Sequence, residues 1–320
     1  QNRTLIHRLR RPLVAYLRPQ AEARKARHEE GRAFLDFPVD RIELYPDYRK
    51  NPRELEKILS PIELVKKDPN VSITGISIHG YASPEGNYAH NEYLAENRAK
   101  TLKDYVAGRL DIDESLFRVE STPEDWEGLL RYLRENNIEN KEELLAIAQD
   151  EDLTYDQRDL KMRATYPQAY RYMLDNWYPA LRHSDYVVNY SVRPFSVDEA
   201  KELIHTKPQQ LSLEEMYLVA QTYEPGSKEF NEVFEIAVRM FPDDPTANLN
   251  AACTRIGRED YDGAEAYLRK AGSSPYVDHA RAVIALRQGR TAEARTLFQK
   301  AQQGGVPEAA ENLKLLDLDR

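Results

Sequence analysis

Apolar and polar residues change rhythm several times along the chain, and each change marks an element. From Val71 to Ile78 the β-branched residues Val71, Ile73, Ile76 and Ile78 predict a strand. Their period of two slips by one at Gly75, where a bulge is expected. Gly80 ends the strand, and Ser83-Pro84-Glu85-Gly86 is turn chemistry. A helix opens at Asn91 or just before it, with Leu94, Arg98, Leu102 and Tyr105 on one face. Arg98, a cation, therefore stands in or beside a stripe that is otherwise apolar. Upstream, residues 33–45 (AFLDFPVDRIELY) read as a first strand interrupted by Pro38. Asn51-Pro52 opens a helix with proline in its favoured first position. Leu55, Ile58, Leu59, Ile62 and Val65 give that helix a buried face. The helix carrying Arg98 ends near Gly108, and residues 117–121 form a third strand.

The central stretch carries a resemblance. The pattern G-Y-x-x-x-x-G, then Asn, then L-x-x-x-R-A is met by Gly80, Tyr81, Gly86, Asn91, Leu94, Arg98 and Ala99. It resembles the signature of the OmpA-like C-terminal domain, a peptidoglycan-binding module of Gram-negative cell envelopes. The resemblance implies a small mixed sheet with helices on one face. It also implies a ligand loop in which an Asp and the Arg of the R-A pair grip the diaminopimelate of a peptidoglycan stem peptide. A guanidinium suits the ligand's carboxylate, and a carboxylate suits its ammonium. Arg98 matches, whereas Ser83 occupies the position of the Asp. Three readings stay open here. Glu85 supplies the missing anion; or the ligand is a different wall peptide, or none; or Arg98 is structural and pairs with a neighbouring carboxylate. The candidate ligand-binding set is Arg98, Ser83, Glu85, Tyr81 and Asn91.

The fourth strand of such a fold is delayed. Residues 122–183 are helical in pattern and rich in charge, with a helix start at Thr122-Pro123-Glu124-Asp125 and further helices at 141–149 and 167–181. Seven tyrosines and Trp177 fall between Tyr155 and Tyr190. They are expected to form the core between an inserted helical layer and its host sheet, the alternative being a groove for a peptide or sugar. Residues 185–192 alternate cleanly and supply the last strand. From about Ser196 onward the pattern is helical throughout. Phe234 and Ala237, Leu268 and Ala271, and Phe298 and Ala301 recur at spacings of 34 and 30 residues. Ala264 and Ala294 repeat at 30, and Pro242 closes the first unit. This resembles about three degenerate tetratricopeptide repeats, which implies a solenoid whose concave side takes a peptide or protein partner.

The whole chain narrows the reading. A formal net charge of -9 over 320 residues argues against a nucleic-acid protein. The single cysteine, Cys253, leaves no internal disulfide or CxxC site and reads as a small buried side chain. No apolar run is long enough to span a membrane. Gln1 is not an initiator Met, so preceding residues are expected, and a cleaved secretory signal is compatible with this start. Residues 1–32 carry nine Arg or Lys against three Glu and read as a basic extension or connector that packs on the following domain, the functional alternative being contact with an anionic polymer. No HExxH, P-loop, GxGxxG or GxSxG occurs. His79, Ser83 and His90 bracket one loop, but Ser83 sits in a Ser-Pro turn, where serine serves local hydrogen bonds. The expectation is an α+β OmpA-like domain over 33–193, with a helical insertion at about 122–183, followed by tetratricopeptide-like repeats over 196–320. Its function is expected to be non-enzymatic and without cofactor or metal: a periplasmic, outer-membrane-associated anchor or assembly scaffold. It would dock to the wall through residues 81–98 and recruit an envelope protein through the repeats. The alternative is a structural or interaction protein whose OmpA-like domain has lost peptidoglycan binding.

Overall fold

A four-stranded mixed sheet orders half of the molecule. The computed structural model describes residues 11–318, so Arg3, Leu5, Ile6, Arg8 and Arg10 of the basic segment lie outside the described residues. The strands are β1 (Lys25–Ala33), β2 (Val71–Tyr81), β3 (Phe117–Thr122) and β4 (Ser184–Val192), in the spatial order β1-β4-β2-β3. β2 pairs parallel with β3 and antiparallel with β4, and its register with β4 shifts between Ile73 and Gly75, leaving Thr74 as the extra residue of the expected bulge. Helices α1 (Asn51–Lys67) and α2 (Tyr88–Leu110) cover one face. Leu55, Ile58 and Ile62 of α1 and Ala99, Leu102 and Val106 of α2 bury against Ile76, Ile78, Tyr186 and Val188 of the sheet. The opposite face of β2 presents Ser77, His79 and Tyr81, as an antiparallel pair with one wet side allows.

The first strand is not where the hydrophobic run predicts it. Residues 34–45 are irregular, and the strand is the mostly polar stretch Lys25–Ala33, which lies almost wholly in the basic segment 1–32. Two effects account for the exchange. An edge strand with one open face tolerates charged residues, and Pro38 breaks any ladder through 33–45. The irregular run still buries Leu35 and packs Phe37 and Leu44 on the core. Its backbone is satisfied by α1: Phe34 N–H donates to Glu54, Asp36 N–H donates to Asn51 Oδ1, and Asn51 Nδ2 donates to the carbonyls of Asp36 and Tyr45.

Between β3 and β4 lie α3 (Trp126–Glu135), α4 (Lys141–Ala148), α5 (Tyr155–Thr165), α6 (Pro167–Asn176) and the single turn α7 (Tyr178–Leu181). The helix start expected at Thr122 comes later, because Thr122 still belongs to β3 and Asp125 caps α3 by accepting from Gly128 N–H. The aromatic-rich stretch does not pack mainly on the sheet. Trp126, Leu129, Leu133, Leu144, Met162, Tyr170, Met173, Trp177 and Tyr178 form a core of their own, and Tyr186 joins the core of the sheet. The reason is size: five helical segments enclose enough apolar surface to be self-sufficient.

The chain divides into two compact units, Ala26–Arg193 and Pro194–Arg320, the latter joined by the residues that precede Ala26. The second unit is helical: α8 (Val197–Leu203), α9 (Leu213–Ala220), α10 (Lys228–Met240), α11 (Pro245–Gly257), α12 (Tyr261–Leu268), α13 (Pro275–Arg287), α14 (Thr291–Gln303) and α15 (Glu308–Asp317). The repeated Phe234, Ala237, Ala264, Leu268, Ala271, Ala294, Phe298 and Ala301 are all buried. So is Cys253, whose thiol burial pushes up to about 12. The basic segment is expected to pack on the domain that follows it in sequence, whereas residues 13–17 lie along these helices. No helix among the described residues is long and apolar enough to cross a membrane.

Candidate functional site

Arg98 reaches its place because α2 comes unusually close to the end of β2. A Cβ on Gly80 would lie 2.7 Å from the Ala95 carbonyl and 2.8 Å from the Ala99 methyl, so only glycine admits this approach. Ala95 and Ala99 are buried against the strand, and Arg98 between them is carried to the mouth of the following loop. Its Nε donates to the Arg41 carbonyl at 2.8 Å, and its guanidinium carbon stands 4.8 Å from the centre of the Phe37 ring. Arg98 has no carboxylate partner among the described residues. Burial, reinforced by the charge of Arg182, lowers its pKa to about 10, so it stays cationic at neutral pH.

Two cavities meet at this guanidinium. One, of about 400 Å³, is lined by Ser83, Glu85, Asn87, His90, Asp40 and Leu94, among others. The other, of about 190 Å³, is lined by Phe34, Arg49, Lys50, Tyr81, Pro179 and His183, among others. Phe37, Val39, Arg98 and Arg182 belong to both. The larger cavity holds two acids that are already engaged: Asp40 lies 2.9 Å from His90 Nε2, and Glu85 accepts from Arg182 Nη2 at 3.0 Å. The smaller sets Arg49, Lys50, Arg98 and Arg182 against Asp36 alone. The local balance favours an anionic guest.

Arg182 is the residue the sequence reading did not single out. It lies at the end of the insertion, 99 positions from Ser83, and no local pattern announces it. Its Nε donates to Ser83 Oγ at 3.0 Å while Nη2 pairs with Glu85. Ser83 is buried and Glu85 is half-buried. Of the candidate set, Arg98, Ser83, Glu85 and Asn91 are thus brought together around one cavity, but with Glu85 spoken for. The Asn91 amide is committed to the loop: its Nδ2 donates to the carbonyl of Glu85 at 2.7 Å and to Glu124 Oε2 at 2.7 Å, and approaches the Ser83 carbonyl at 3.3 Å. It positions the loop. Tyr81 lies between two imidazoles, 4.3 Å from the ring centre of His79 and 4.1 Å from that of His183. His79, Ser83 and His90 do not converge: His79 contacts Thr122 Oγ1, His90 pairs with Asp40, and Ser83 accepts from Arg182.

The insertion closes the loop on three sides. Asp125 N–H donates to the Ala82 carbonyl, Gly86 N–H to Asp159 Oδ2, and Tyr88 N–H to Asp156 Oδ1. Gly86 takes a φ of +87°, the left-handed turn its lack of a Cβ permits. Glu124 accepts from Asn91 and from Trp126 Nε1 at 2.8 Å, and is buried. Burial pushes its pKa up to about 7, with Asp156 and Asp159 adding to it and the two hydrogen bonds only partly offsetting it. A carboxyl raised in the fold stabilises fully below its unfolded value of about 4.3 and loses that contribution as pH rises through about 7. Glu124→Gln is therefore expected to gain on the wild type by on the order of 2 kcal/mol between pH 5 and pH 8, read from urea unfolding at both pH values. A stability difference that does not change with pH would refute the assignment.

Beside the loop, His183 is buried between two acids. Its Nε2 lies 2.9 Å from Asp125 Oδ2 and its Nδ1 2.7 Å from Asp185 Oδ1, an arrangement in which both nitrogens donate when the ring is an imidazolium between two carboxylates. Burial opposes that charge, but the hydrogen bonds to Asp125 and Asp185 outweigh it and hold the pKa above the ordinary value. Asp185 in turn takes a two-pronged contact from Arg32, at 2.8 and 3.0 Å. No family model matches the chain, and a search of curated proteins finds none that matches it.

Proposed function

We propose that the chain is a non-enzymatic cell-envelope protein, an anchor or assembly scaffold in the periplasm, associated with the outer membrane. In this reading the Ala26–Arg193 unit is an OmpA-like domain with a helical insertion, and the helices from Lys228 to Asp317 are tetratricopeptide-like repeats. The element order β-α-β-α-β, then helices, then β supports the first assignment. Three successive helix pairs with buried Phe or Leu and Ala at recurring places support the second. One observation carries the docking role: a half-buried guanidinium at the junction of two cavities, without a carboxylate partner among the described residues. Such a group is stabilised by a guest that brings its own anion.

The ligand class is narrowed by Arg182. Because it neutralises Glu85 and holds Ser83, the loop offers no spare carboxylate for an ammonium. The guest is therefore recognised through its carboxylate, as on a wall stem peptide, with the amino end of a diaminopimelate left unmatched. The same contact favours the second reading, a structural or interaction protein that has lost peptidoglycan binding.

A pulldown with purified sacculi separates the two. The wild type is expected to be retained, and Arg98→Ala to bind about tenfold more weakly, the loss of one charge-assisted contact. No retention of either chain, or equal retention of both, would overturn wall docking at this site and leave the second reading.

A further inference from the structure

The helical unit already holds a peptide, and that peptide is part of the same chain. Residues 13–17 run without helix or strand along the helices. Leu13 N–H donates to Asn312 Oδ1 at 2.8 Å, and Asn312 Nδ2 donates back to the Leu13 carbonyl at 2.9 Å. Four residues on, Leu17 N–H donates to Asn250 Oδ1 at 2.9 Å, and Asn250 Nδ2 returns a bond to the Leu17 carbonyl at 2.8 Å. Between these clamps Ala15 is buried, and its carbonyl faces Cys253 Sγ at 3.5 Å. Tyr16 lies stacked 4.9 Å from Phe234 and edge-on 5.1 Å from Phe230. Burial raises its phenol well above the ordinary range.

Asn250 is 2% exposed and Asn312 is 0% exposed. A buried amide that pairs with both the N–H and the C=O of one residue reads backbone, as a neighbouring strand would, and is indifferent to the side chain there. The burial of both amides includes the cover of residues 13–17 themselves, so the peptide and the two clamps form one desolvated, mutually satisfied hydrogen-bond set. Asn312 is also pre-set. Its Nδ2 stands 3.0 Å from His279 Nε2, and burial pushes that imidazole down to about 4, so the ring is neutral and accepts. The side-chain requirement falls at the centre: a small residue at 15, where Ala301, Val306 and Ala309 close in, and an aromatic at 16.

We propose that the helical unit is a receptor for an extended peptide. It reads two non-proline residues four positions apart through their backbone, with a small residue and an aromatic between them, and is filled in cis by residues 13–17. A partner segment of that chemistry displaces the cis segment. This inference rests on the reading of these helices as an interaction module and names the class of partner; it does not depend on Arg98. A tethered occupant is present at an effective concentration in the millimolar range, so the intact chain resists a competitor until the tether is released or the competitor is abundant.

The test uses the full chain with a protease site inserted after Gln20, in the exposed stretch 20–24. A labelled peptide of residues 11–20 is titrated before and after cutting, with helicity followed on the same samples. Saturable binding is expected after cutting, and binding at least about tenfold weaker before it. A peptide carrying Leu17→Pro, which lacks the donor that Asn250 reads, is expected to bind about tenfold more weakly, as is the parent peptide to an Asn250→Ala chain. If cutting lowers helicity, added peptide is expected to restore it. The proposal is overturned by absence of binding to a cut chain of unchanged helicity, by helicity the peptide does not restore, or by equal binding of the parent and Leu17→Pro peptides. Sacculus retention, measured on the same cut chain, reports on Arg98 separately, so either failure can be told from the other.

Discussion

His183→Ala is expected to destabilise the Ala26–Arg193 unit by about 3–5 kcal/mol, the cost of stripping the partner from buried charges. The substitution leaves Asp125 and Asp185 facing each other across a cavity, removes one of the two rings stacked on Tyr81, and loosens the cap of α3. Its pH dependence identifies the cause. His183 is raised in the fold, so its contribution is full below the ordinary histidine value of about 6.5 and is lost as pH rises through the folded value. Asp125 and Asp185 are lowered: burial acts against their charge, but the bonds from His183, with Gly128 N–H on Asp125 and Arg32 on Asp185, together outweigh it. Their contribution is full above the ordinary aspartate value of about 3.9 and is lost as pH falls through the folded values. The wild type is thus expected to exceed the variant most between about pH 4 and pH 6.5, the gap shrinking towards pH 9. Urea unfolding of both proteins across this range provides the check. A gap that stays constant from pH 5 to pH 9 would mean that lost packing, not the imidazolium, carries the effect.

Phe298→Ala is expected to cost the helical unit about 3–5 kcal/mol, the usual range for emptying a fully buried aromatic site. Phe298 is 0% exposed and sits among Leu268, Ala294, Cys253 and Val283. Its ring meets His279 edge-on at 5.3 Å, so the cavity opens beside the imidazole that orients Asn312. Thermal and urea unfolding give the magnitude, and a loss below about 1 kcal/mol would show that the neighbouring helices can collapse onto the gap. Phe298→Leu, which keeps most of the volume, is expected to recover most of the loss.

Both residues mark where sequence reading stops. Phe298 is visible in the sequence because it recurs with Leu268 and Phe234 at helical-repeat spacing, and a buried seam needs apolar residues at regular intervals. His183 is not visible, because its partners are Asp125, 58 positions away, and Asp185, whose own second partner is Arg32. Ion pairs between distant elements leave no period behind. The same holds for Arg182, which decides the chemistry around Ser83 and Glu85 from the far end of an insertion. The first strand departs from the apolar pattern for a related reason. From Phe34 on, the apolar run 33–45 does enter the core, but as irregular chain held by Asn51 and Glu54, while the polar residues before it take the edge of the sheet.

Local rhythm and turn chemistry were enough to find β2 with its slip at Gly75, the loop at Ser83–Gly86, the helix bearing Arg98, the last two strands and the buried repeat positions. Those features are set by neighbours within a few residues, where period and backbone preference are written directly into the order of side chains. What the tertiary structure alone decided is the company each polar group keeps: Arg98 with no acid among the described residues, Glu85 with Arg182, His183 with two acids, and Asn250 and Asn312 with the chain's own early residues. Electrostatic and hydrogen-bond partners are matched by distance in space, and folding brings together residues whose separation along the chain reaches 299 positions.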